Sequence, residues 1–118
     1  MMAEYYALST ATREVLPLRT LVQTVAEGCG INTDCHTTFL TTVWEDNIGS
    51  LTLANLDPGQ NTPRSKFYDS KVHWFRSPLK PNNIEVKKID TAGQLADIFT
   101  KPLVHTLFTR LRKLLNGW

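Results

Sequence analysis

Cysteine is scarce in this chain, with only Cys29 and Cys35 among 118 residues. One pair cannot build the disulfide framework of a small secreted domain, so both read as free thiols of an intracellular protein. His36 adds a third zinc-capable group, but no fourth ligand stands at a useful spacing. Long apolar runs are missing as well. No 18-residue stretch is apolar enough for a transmembrane helix, and Glu4 interrupts the N-terminus before any signal or transit pattern begins. Charge of one sign is also in short supply: a formal net charge of +2 is too small to name a partner. There is no internal repeat and no low-complexity segment.

What is present suits one domain with a modest core, at 42% hydrophobic and 20% charged residues. The spacing of Glu4, Leu8, Ala11, Val15, Leu18, Val22 and Val25 predicts an amphipathic helix over residues 2 to 26, stopped by Gly28 and Gly30. Pro17 lies inside it and predicts a kink or a break. Residues 37–46 are rich in threonine, aromatic and branched residues, and predict a strand covered on both faces. A short helix follows through Ile48, Leu51 and Ala54, then a turn at Asp57-Pro58-Gly59.

Thr62-Pro63 predicts a helix start, with Tyr68, Val72 and Phe75 inward, Lys66, Lys71 and Arg76 outward, and Ser77-Pro78 as the stop. Residues 84–89 alternate as a second strand. Thr91 and Gln94 have the spacing of a capping box, opening a helix through Leu95, Ile98 and Phe99 that ends at Lys101-Pro102. A last amphipathic helix carries Leu107, Phe108, Leu111, Leu114 and Leu115. About thirty-five helical and turn residues between the strands favour a parallel crossover. Two strands alone make a poor sheet, which suggests absent material.

Three carboxylates stand out. Glu4 falls on the apolar stripe of the first helix, Asp46 ends the first strand, and Asp97 lies in the helix after the second. Acidic groups converging from separate elements are what a divalent-cation site needs. Each has a plainer reading: a solvated Glu4 near a helix start, Asp46 as a helix cap beside Asn47, Asp97 as an exposed helix residue. Lys87 and Lys88 on a strand, with Arg110, Arg112 and Lys113 near the C-terminus, suit a phosphate backbone or simply a solvated face.

The segments Met2-Ala3-Glu4-Tyr5-Tyr6-Ala7-Leu8, Trp44-Glu45-Asp46-Asn47 and Arg64-Ser65-Lys66 follow one another in order. After them comes Gln94-Leu95-Ala96-Asp97-Ile98-Phe99-Thr100-Lys101-Pro102-Leu103. Together they resemble the ribonuclease H domain of copia-type LTR retrotransposon polyproteins, over the whole of residues 1–118. The resemblance implies an α/β, ribonuclease H-like fold and hydrolysis of the RNA strand of an RNA–DNA hybrid, assisted by two Mg2+ ions, during reverse transcription. It assigns Glu4, Asp46 and Asp97 as catalytic metal ligands. Asp69 is a weaker alternative for the last of these, and Asp90 reads as a turn residue.

The same resemblance implies a departure. The family domain opens with three strands, the first bearing a further catalytic aspartate, whereas here Met1 stands three residues before Glu4. The expectation is therefore a partial domain: two parallel strands, about five flanking helices, and an activity lost with the absent ligand. An exposed strand edge would invite self-association. Non-catalytic nucleic-acid binding is the alternative function, and neither a membrane nor a small-molecule substrate is expected.

Overall fold

The computed structural model describes residues 2–31, 39–68 and 70–118. Cys35, His36 and Asp69 lie outside the described residues, as does the first part of the expected strand. Helix-favouring residues at the chain start form one long helix, α1 (Met2–Gly28), which continues through Pro17 without a break. Its buried line is Tyr5, Leu8, Ser9 and Thr12. The expected stripe is therefore rotated by about one position: Leu8 is buried and Val15 half-buried, but Ala11, Leu18, Val22 and Val25 are exposed.

The aromatic anchors account for that rotation. Tyr5 is fully buried, meets the Phe75 ring edge-on at 5.2 Å, and hydrogen-bonds through its hydroxyl to His73 Nδ1 at 2.8 Å. One turn on, Trp74 Nε1 donates to Ser9 Oγ at 2.9 Å. Large rings with polar tips need both a cavity and a partner, so they set the helix's rotation more firmly than the aliphatic pattern does.

Strands β1 (Thr41–Glu45) and β2 (Ile84–Lys88) pair in parallel, with Thr41 opposite Ile84 and Val43 opposite Val86. Asn83 enters β2 at φ 53°, a left-handed turn conformation that asparagine tolerates, and its carbonyl accepts from Thr41 N–H at 3.0 Å. The inner face of this sheet packs into a single core of Tyr5, Leu8, Leu53, Val72, Phe75, Leu79, Ile84 and Val86, with Val43 against it. The outer face carries Thr42, Trp44, Glu85 and Lys87. Trp44 is 51% exposed, so the cover expected on both faces is present on one.

Asn47 caps α2 (Ile48–Ala54) by accepting from Ser50 N–H at 3.2 Å. The helix expected from Thr62 to Arg76 is instead two 3-10 segments, Ser65–Phe67 and Ser70–Phe75, followed by the short α3 (Arg76–Leu79). Thr62 and Ser65 explain the first: Ser65 Oγ accepts from Thr62 N–H at 2.8 Å while Thr62 Oγ1 accepts from Ser65 N–H at 3.2 Å. Such local bonds compete with a helix ladder. Val72 and Phe75 stay buried because residues three apart share a face in a 3-10 helix.

Arg76, expected outward, is buried at 4% exposure. Its Nη1 donates to the Gln60 carbonyl at 2.8 Å and the Leu53 carbonyl at 3.4 Å. Those acceptors lie at and beyond the end of α2, where carbonyls lack helix partners. Pro78 does not stop the chain before α3 but sits in its first turn, where an N–H has no intrahelical use.

The capping box does not form. Thr91–Gly93 is a 3-10 turn, Gln94 Nε2 donates across to the Trp44 carbonyl at 3.3 Å, and α4 (Asp97–Thr100) is a single turn that leaves Phe99 exposed. The last helix, α5 (His105–Asn116), ends on Gly117 at φ 81°, the left-handed conformation that glycine adopts freely. Of its apolar side, Leu111 is fully buried and Leu107 half-buried, while Phe108, Leu114 and Leu115 are exposed. Among the described residues, no helix is long and apolar enough to cross a membrane.

A candidate acid cleft at the carboxyl end of the sheet

β1 ends at Glu45, and the chain turns there into α2. Glu45 belongs to the inward-facing set with Thr41 and Val43, so its carboxylate is buried at 6% exposure. Its Oε1 accepts from Asn47 N–H at 2.9 Å. Asp46 follows with its side chain half-buried, and because Asn47 is the residue that caps α2, capping does not account for Asp46. α1 runs back over β1 and brings Glu4, also half-buried, to the same end of the sheet. The third contribution comes after β2, where Asp97 opens α4 and is buried at 6% exposure, which sets aside its reading as an exposed helix residue.

These elements enclose an open cleft of about 610 Å³. Glu4, Glu45, Asp46 and Asp97 all line it, together with Asn47, Gln94 and Lys101. All three carboxylates singled out from the sequence thus reach one place.

The electrostatics tie them together. Lys101 Nζ lies 2.9 Å from Asp97 Oδ1 and 4.0 Å from Asp46 Oδ2. The hydrogen bond to Asp97 holds the Lys101 pKa above the ordinary lysine value despite some desolvation, and the charges of Asp97, Asp46 and Glu4 add to it. Burial pushes the Glu45 carboxyl up from the usual glutamate value. The Asn47 amide opposes that rise, and the neighbouring charges of Asp46 and Glu4 reinforce it. Four acids therefore share one field, and Lys101 supplies a cation within it.

As donors these groups suit magnesium, which takes carboxylate oxygens. Among the described residues, no three histidine, cysteine, aspartate or glutamate side chains stand together so as to hold an ion, and the Lys101 ammonium pairs with Asp97 Oδ1.

The basic residues are not gathered in the same way. Lys87 and Lys88 are exposed on β2, where Lys87 pairs with Glu85 at 2.6 Å, while Arg110, Arg112 and Lys113 are exposed on α5. Asp90 follows β2, exposed, and leads into the Thr91–Gly93 turn; Thr91 lines the cleft but Asp90 does not. Sequence reasoning passed over Glu45, Gln94 and Lys101. The signal for Lys101 was present: it stands four residues after Asp97, the spacing at which a helix brings a cation onto an acid. Glu45 was marked by its alternation with Val43. No family model matches the chain, and no solved structure matches it.

Proposed function

We propose that this chain is part of a copia-type retrotransposon ribonuclease H, and that the acid cleft corresponds to the place where the intact domain meets the RNA strand of an RNA–DNA hybrid. The observation that carries this reading is the convergence of Glu4, Asp46 and Asp97 from three separate elements on one cleft. Convergent acids are not needed for stability, since burial raises the Glu45 pKa and the crowded charges of Asp46 and Glu4 raise it further. They are needed where cations or phosphates must be managed. An intracellular place of work, cytoplasmic or nuclear, goes with the same reading.

The chain by itself is a poor hydrolase on this reading, in which Asp97 is paired with the Lys101 ammonium whereas a two-ion mechanism requires its carboxylates for the ions. Incubation of the purified chain with magnesium and an end-labelled hybrid is expected to give no cleavage above a protein-free control. Cleavage that disappears in Asp46→Asn would overturn the inactivity. Hybrid binding without cleavage is the second reading, and the exposed cations of α5 favour it. Its affinity, measured by fluorescence anisotropy, should fall steeply between 50 and 200 mM salt, roughly in proportion to the phosphates contacted. A flat salt response would count against Arg110, Arg112 and Lys113 as the contact.

A further inference from the structure

Arg76 is a buried cation that pairs with no carboxylate among the described residues. Two backbone carbonyls, of Gln60 and Leu53, take its Nη1, while its Nε–H is buried without an acceptor among those residues. Its charge reaches the core, where it adds to burial in holding the His73 pKa below the ordinary value. A guanidinium withdrawn from water without a counter-anion is costly, and two carbonyls supply only part of what an anion would.

The same side chain lines an open cavity of about 410 Å³, within the size range of small-molecule sites. The cavity lies between the end of α2, α3 and β2, and no residue of β1 lines it. Its frame is tied on two sides. Asn55 Nδ2 donates to the Val86 carbonyl at 3.4 Å, joining the end of α2 to β2, and Arg76 joins α3 to α2. Leu56, Pro58, Leu79, Ile84 and Val86 give it apolar walls. No residue lines both this cavity and the acid cleft.

The charges at the cavity narrow the ligand. Lys80 and Lys87 line it too, but each already has an acid. Lys80 Nζ lies 2.6 Å from Asp57 Oδ1, and Lys87 Nζ lies 2.6 Å from Glu85 Oε2. What remains is the single positive charge of Arg76. One charge is neutralised by a carboxylate, whereas a phosphate dianion would leave an excess of negative charge. A planar guanidinium also matches a planar carboxylate, which it can hold through parallel hydrogen bonds.

We propose that this cavity binds a small organic acid, its carboxylate accepting from the Arg76 guanidinium and its apolar body lying against Leu56, Leu79 and Ile84. The carbonyl bonds through Nη1 hold the guanidinium in place, and the acid supplies the missing counter-charge. The proposal is independent of the chemistry of the acid cleft.

Hexanoate is the probe. Titrated into the full chain at neutral pH and followed by amide chemical shifts, it should saturate with a dissociation constant of about 1 mM or below. The shifts should centre on Arg76, Leu79, Ile84 and Val86. Hexanol keeps the body without the charge, and acetate keeps the charge without the body; each should bind roughly tenfold more weakly. Inorganic phosphate should also bind more weakly than hexanoate. Arg76→Lys retains a charge without the planar fork and should cost roughly tenfold in affinity. Because Arg76 also holds the end of α2, the exposed Lys87 provides an independent variant. Lys87→Glu sets a second acid at the cavity wall and should weaken hexanoate about threefold or more, with the circular dichroism unchanged. No saturation by about 10 mM, hexanol or phosphate binding as tightly as hexanoate, shifts centred elsewhere in the chain, or Lys87→Glu without effect would each overturn the proposal.

Discussion

The two halves of α1 carry apolar residues at the same alternating spacing and meet different surroundings. In the proximal half Tyr5 and Leu8 enter the core, and Ser9 and Thr12 are buried with them. In the distal half Leu18, Leu21, Val22 and Val25 face water. What separates them is what the rest of the chain offers. The proximal half meets Val72, His73, Trp74 and Phe75, whose rings and polar tips bond back to the helix. The distal half is tethered by Arg19, which donates to the Phe39 carbonyl at 2.8 Å and to the Thr41 hydroxyl. Hydrophobic spacing alone therefore does not decide whether a face is buried, and aromatic residues with hydrogen-bonding tips mark the half that finds its partner within this chain.

Substitutions can break this comparison. The largest effect is expected at Phe75, fully buried in the proximal contact: Phe75→Ala should cost about 3–5 kcal/mol in urea unfolding. If it cost no more than a surface change, the proximal half would not be anchored as described. Tyr5→Phe keeps the ring and removes the bond to His73 Nδ1, with an expected loss of about 1–3 kcal/mol because a buried acceptor or donor loses its partner. Leu21→Ala, measured in dilute protein, should change stability by less than about 0.5 kcal/mol. A loss at Leu21 comparable to that at Tyr5 would erase the distinction between the halves.

The acid cleft sharpens the comparison by pH. The Glu45 carboxyl is raised in the folded state above its ordinary value of 4.5. Between that value and the raised one, the folded state binds the extra proton, so stability falls as pH rises through this window and stays lower above it. Glu45→Gln keeps the Oε1 acceptor for Asn47 N–H and removes the charge. It should raise stability at pH 7 and abolish the decline above pH 4.5, read as the urea midpoint across a pH series. His73 acts in the other direction. Burial and the nearby Arg76 charge hold its pKa below 6.5 in the fold, so stability should fall as pH drops from 6.5 towards the folded value.

Much of this architecture was legible in residue order. The alternation of Ile84, Val86 and Lys88, and the long crossover from β1, pointed to a parallel pair, because a short turn cannot join parallel strands. The meeting of Glu4, Asp46 and Asp97 could be anticipated from their positions at element ends. Arg76 could not. Grouped with the charged Lys66 and Lys71 it was expected outward, and only the shift to 3-10 geometry turns it under α2 towards the Gln60 carbonyl. Gln94 was misread for a related reason: a capping box and a cross-strand bond use the same amide, and sequence shows the local option first. The rotation of α1 was hidden because aliphatic spacing alone favoured a line one position away.

Gln94 has a consequence of its own. Its side chain lines the acid cleft and also bonds the outward-facing carbonyl of Trp44. One amide thus serves two surfaces that lie on different sides of β1. A donor that displaces Gln94 from the Trp44 carbonyl would free an amide in the wall of the cleft. To the extent that the two compete, binding at the strand edge and the shape of the cleft are coupled through that hydrogen bond, and the coupling is reciprocal.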